Sequence, residues 1–112
     1  PDMPRAAFPA PDAAMDRPQF ELLEEREGEA GWSWTAQVLA SDGSLTRHEV
    51  RLAWADYDLW CEGRAAPAAV AEAAYAFLRE HAAELAGRPR IELAWTRRVR
   101  ADADTVIPGL VR

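Results

Sequence analysis

The chain has no lysine, no asparagine and a single cysteine, Cys61, among its 112 residues. One cysteine excludes an internal disulfide, and the opening residues lack the basic-then-apolar order of a secretory signal, so a reducing, cytoplasmic setting is the expectation. No apolar run approaches the roughly 18 residues that a membrane span needs, and no membrane partner is expected. All thirteen basic residues are arginine, spread through a chain rich in alanine. That spread reads as compositional bias and discounts any single arginine as a signal. The net charge of −6 argues against non-specific phosphate binding. The charge is uneven: residues 1–62 carry thirteen acids against five arginines, and residues 63–112 carry six acids against eight arginines.

A hydrophobic share of 49% is enough for one core, and a chain of this length does not hold two. Five of the eight prolines fall in residues 1–18, which show neither helical nor strand periodicity. Such a segment buries too little apolar area to offset its ordering entropy, so 1–18 is expected to be an arm, with Phe8 and Met15 as its anchors. Residues 19–112 form a single expected α+β domain.

Three segments then read as strands. Phe20 and Leu22 open the first at strand spacing, and the cluster EGEAG at 27–31 ends it in a turn. In GWSWTAQVLA, Trp32, Trp34, Ala36 and Val38 alternate with Ser33, Thr35 and Gln37, so the tryptophans share one face. In LTRHEVRLAW, His48, Val50, Leu52 and Trp54 alternate with Arg47, Glu49 and Arg51. The turn between these two fixes their register. A two-residue loop at Asp42-Gly43 would set Trp34 against Arg51, whereas a three-residue loop, Ser41-Asp42-Gly43, sets Trp34 against Val50 and Trp32 against Leu52. Only the second keeps one face apolar, and it suits a type I turn closed by a left-handed glycine.

Pro67 to Ala86 contains no internal glycine or proline, starts on a proline suited to a first helical turn, and is followed by Gly87 and Pro89. This predicts one helix with Val70, Ala74, Phe77, Leu78, His81 and Leu85 inward and Glu72, Arg79, Glu80 and Glu84 toward water. RIELAWT alternates Ile91, Leu93 and Trp95, which predicts a short fourth strand, and the remaining residues carry no strong pattern. The expected order is β-β-β-α-β: a three-stranded antiparallel meander, a long helix on its apolar face, and a short last strand.

From His48 to His81 the sequence resembles a family of small uncharacterised prokaryotic proteins with a His-x-Val strand, a tyrosine, a glycine, a proline and a Phe-Leu helix. The residues that carry the resemblance are His48, Val50, Tyr57, Gly63, Pro67, Val70, Phe77 and Leu78. It implies a β-β-β-α core and no assigned activity.

The chemically densest stretch is WADYDLWCEG at 54–63. Trp54, Tyr57 and Trp60 recur every three residues, the period of a short 3₁₀ turn, which makes them a plug between strand and helix and leaves Asp56, Asp58 and Glu62 facing water. The alternative is an aromatic box for a cationic ligand, walled by those acids. His48, His81 and Cys61 are metal-ligand types, but no close-spaced pair supports a metal site. A nucleophile reading sets Cys61 beside His48 with Asp56 or Asp58 as orienter, the residues of a small hydrolase or metal-dependent enzyme using His48, Cys61 and Asp58. A lone cysteine next to an indole is more commonly a small buried hydrophobe. Arg88, Arg90, Arg97, Arg98 and Arg100, with Trp95 nearby, form the one basic cluster and the single argument for nucleic acid, against which the acidic whole weighs. The favoured reading has no cofactor and no metal: a protein-interaction or self-associating module, with Trp54, Asp56, Tyr57, Asp58, Trp60, Arg97, Arg98 and Arg100 as the candidate binding surface.

Overall fold

The structure, a computed structural model, describes residues 20–40 and 42–111. The proline-rich arm expected at 1–18 lies outside the described residues. Strands β1 (Phe20–Glu27), β2 (Gly31–Leu39) and β3 (Leu45–Ala53) form an antiparallel meander, and β4 (Arg90–Glu92) joins beside β3 in parallel, giving the order β1-β2-β3-β4. Between β3 and β4 lie the helices α1 (Trp54–Cys61), α2 (Pro67–His81) and the short α3 (Ala83–Ala86). After β4 come a 3₁₀ turn at Leu93–Trp95, α4 (Thr96–Val99) and α5 (Ala103–Leu110). Among the described residues, no helix is long and apolar enough to cross a membrane.

The β2–β3 register is the one the apolar faces require: Trp34 pairs with Val50, Trp32 with Leu52 and Ala36 with His48. Gly43, at φ 89°, sends its N–H to the Ala40 carbonyl at 2.9 Å, and Asp42 receives both the backbone N–H and the hydroxyl of Ser44. The glycine takes a left-handed turn position at which a Cβ is costly. β1 carries an extra residue. Glu24 and Glu25 sit between the pairs Leu23 with Thr35 and Arg26 with Ser33, and Glu24 is left-handed at φ 58°. This bulge lets Glu25 accept the Trp34 indole N–H at 3.1 Å and Glu24 accept the Thr35 hydroxyl at 2.8 Å.

The core sits between the apolar face of the sheet and the helices. Trp32, Trp34, Ala36, Val50 and Leu52 from the strands meet Val70, Ala74, Phe77 and Leu78 from α2, with Ile91, Leu93, Ala103 and Ile107 closing one end. The alanines of α2 let its backbone approach the sheet, as small residues on a packed stripe do. Tyr75, absent from the sequence-predicted stripe, is fully buried, edge-on to Phe20 at 4.7 Å, with its hydroxyl donating to the Ala86 carbonyl.

Four expectations are corrected. The helix expected from Pro67 to Ala86 is interrupted at Ala82, whose φ and ψ are −153° and 70°. The interruption keeps both Ala82 and Ala86 against the core, and no local breaker announces it. His81 does not enter the core: it is exposed, stacked on Phe77 at 4.6 Å and 3.7 Å from Glu80. Trp95 belongs to a 3₁₀ turn rather than to the last strand, because β4 ends at Glu92. Residues 96–111, expected to be patternless, hold two helices; Ala103 and Ile107, four apart, form the buried side of α5.

Candidate functional site

The stretch 54–63 is an α-helix rather than a 3₁₀ turn. At 3.6 residues per turn, side chains three apart drift by about 60° at each step, so Trp54, Tyr57 and Trp60 fan out instead of aligning. Trp54 and Tyr57 turn toward β2, where their rings meet Trp32 at 4.0 Å and 4.9 Å. The Trp54 indole also donates to the Gly28 carbonyl, and its backbone N–H donates to Ala30. These two contacts tie the start of α1 to the β1–β2 turn and use one of the helix's orphan donors. Trp60, only 2% exposed, turns the other way, toward α5. The three rings therefore do not form a box around one ligand.

Asp56 does not face water. It is 7% exposed, and its carboxylate accepts from the Arg97 guanidinium at 2.6 Å. The same guanidinium donates through Nε to both oxygens of Asp104, at 3.0 and 2.9 Å, and lies 5.4 Å from the centre of the Trp60 ring. The Trp60 indole N–H completes the group by donating to Asp104 at 2.8 Å. α1 supplies Asp56 and Trp60, α4 supplies Arg97, and α5 supplies Asp104. A buried carboxylate is costly unless it is paired, and this arrangement pairs it while clamping the two C-terminal helices onto α1. The hydrogen bond to Asp104 followed by that to Asp56 holds Arg97 above its usual pKa. Arg97 first, and Trp60 after it, hold the Asp104 carboxyl below its usual value.

The lowered Asp104 pKa gives a signed expectation. Its contribution is fully present above the unfolded carboxyl value, near pH 4, and is lost as pH falls through the lower folded value. Urea midpoints measured through that acid range should fall less steeply for Asp104→Asn than for the wild type. Identical slopes would mean that the carboxylate gains nothing on folding.

The other candidates disperse. Asp58 and Arg98 are exposed, Arg100 pairs with Asp102 at 2.6 Å, and Arg88 lies 5.9 Å from the Trp95 ring. With Arg97 engaged in the clamp, the expected basic cluster is divided among separate contacts. His48 faces the apolar side opposite Ala36, as its alternation requires, and its Nδ1 donates to the Arg88 carbonyl at 2.8 Å. The Cys61 thiol lies 3.9 Å from the Ala65 carbonyl, which also accepts the Tyr57 hydroxyl at 2.5 Å. Burial, and then the neighbouring Cys61 thiol, push the Tyr57 phenol upward. Among the described residues no hydrogen bond joins His48, Cys61 and Asp58, and no three His, Cys, Asp or Glu side chains gather as a metal site.

Sequence reasoning missed a groove of about 670 Å³ beside the clamp. Leu59, Trp60 and Cys61 at the end of α1 form one wall, Ala65 and Ala66 the floor toward α2, and Pro108 and Val111 the far wall. Two left-handed residues, Glu62 at φ 53° and Gly63 at φ 80°, reverse the chain after α1 and open the space. Leu59 stands on the rim, 53% exposed. Glu62 and Arg64 stand there with it, paired to each other at 2.8 Å. Its only sequence signal is Leu59, an apolar residue between Asp58 and Trp60 that a helical reading of 54–61 would place away from the core. The outer face of the sheet differs: its charges are cross-paired, with Arg51 held by Glu49 at 2.6 Å and by Glu92 at 3.8 Å.

No protein family, curated protein or solved structure matches this chain.

Proposed function

We propose that this chain is a non-enzymatic protein-docking module and that the groove between α1 and α5 is where the partner binds. The observation that carries the reading is a groove lined by Trp60, Ala65, Ala66, Pro108 and Val111 with an exposed leucine on its rim, set between helices that the half-buried Asp56–Arg97–Asp104 ion-pair network joins. A concavity that mixes apolar lining with a few polar groups is the common form of a binding site, and Leu59 on its rim extends that apolar lining toward water. Catalysis is not favoured: among the described residues no hydrogen bond joins His48, Cys61 and Asp58, the trio of the alternative enzymatic reading, and the thiol faces a carbonyl oxygen rather than a base.

Immobilised full chain and its Leu59→Glu variant, exposed to an extract of the cells that make the protein, separate the outcomes. A polypeptide retained by the wild type and lost with the folded variant is the expected result. Equal retention by both places the contact elsewhere and removes the groove from the account.

A further inference from the structure

The groove has an unusual property for a docking surface: its knob and its hole lie side by side. Leu59 projects from the rim of the concavity that Trp60, Ala65, Pro108 and Val111 line. Two-fold symmetric contacts require this, because the same patch must supply both the inserted residue and the receiving pocket. The rim charges obey the same rule. Glu62 and Arg64 are two residues apart, opposite in sign and exposed, with side chains 68% and 78% accessible. Across a two-fold axis each meets its complement, and breaking the existing pair costs little because exposed ion pairs are weak.

We infer that the occupant of the groove is a second copy of this chain, related by a two-fold axis, with each Leu59 seated in the other copy's groove and Glu62 facing the partner's Arg64. The inference rests on the docking reading above and names its partner. Cys61 lies inside the covered surface, so alkylating it obstructs the contact.

The test is sedimentation equilibrium of the purified full chain across a concentration series. The wild type should show a monomer–dimer equilibrium. Leu59→Glu should weaken it on the order of a hundredfold, since a seated leucine is replaced by a charge. Glu62→Arg alone and Arg64→Glu alone should each weaken it by roughly fivefold, since each alters two symmetry-related, individually weak rim contacts, and the two together should restore it. Cys61 alkylated with N-ethylmaleimide should sediment as monomer. Thermal melts establish that each variant is folded. A dimer that survives Leu59→Glu, or a double variant weaker than both singles, overturns the inference. A wild type that stays monomeric at every concentration also overturns it. If that monomer still retains another polypeptide from extract through Leu59, the docking reading stands without the second copy; if it retains nothing, both fall.

Discussion

Replacing Arg97 by methionine should lower the unfolding free energy by about 3 kcal/mol, because it leaves the Asp56 carboxylate in a dry site with no cation. Asp56 is 7% exposed and Arg97 reaches it at 2.6 Å, whereas Asp104 is partly open to solvent and its share of the pair is screened. The loss should therefore come mainly from the Asp56 side, and Asp56→Asn combined with Arg97→Met should recover part of it. Arg97→Lys should fall in between, since an ammonium group cannot present the guanidinium's planar fork to two carboxylates at once. Urea unfolding monitored by tryptophan fluorescence measures each of these. A loss below about 1 kcal/mol for Arg97→Met would mean that Asp56 is hydrated when its partner is removed.

Gly31→Ala is the second large effect. Gly31 opens β2 at φ 147°, opposite Ala53, and an added Cβ would collide with the Leu52 carbonyl oxygen and come within 2.9 Å of the Ala53 Cα. Both obstacles are backbone, so neither swings aside. The position also adjoins the anchor of α1, where the Trp54 N–H donates to Ala30. Roughly 3 kcal/mol or more of destabilisation is expected, enough to unfold a marginal domain. Gly43→Ala provides the contrast: Gly43 also has a positive φ, but nothing lies within 4 Å of the added methyl. That change should cost about 1 kcal/mol, the conformational penalty alone. Thermal melts of the two variants, read by circular dichroism, should differ accordingly, and equal melts would contradict the packing argument.

What could be read from sequence follows the range of the forces involved. The β2–β3 register was legible because a two-residue period and one turn glycine determine it locally, and one slipped residue would have turned Trp34 toward Arg51. The start of α2 was legible from Pro67. The identity of α1 was not, because three-residue spacing of aromatics fits a 3₁₀ turn as well as an α-helix, and its end is made by left-handed Glu62, which is not a recognised stop signal. The burial of Asp56 was invisible for a different reason. It depends on Arg97, forty-one residues away, and on α5, where Pro108 and Gly109 disguise a helix as a loop. The groove is one step further removed, because it exists only once α1, the turn at 62–66 and α5 have been placed by that clamp.

The central claim is that contact is made through the helical groove rather than through the sheet. Photo-crosslinking residues placed singly at Leu59, on the groove rim, and at Thr35, on the outer face of β2, test it most directly in extract of the producing cells. The account predicts a covalent polypeptide adduct from position 59 and none from position 35, whether the captured chain is a second copy or another protein. An adduct from position 35 with none from position 59 would contradict it.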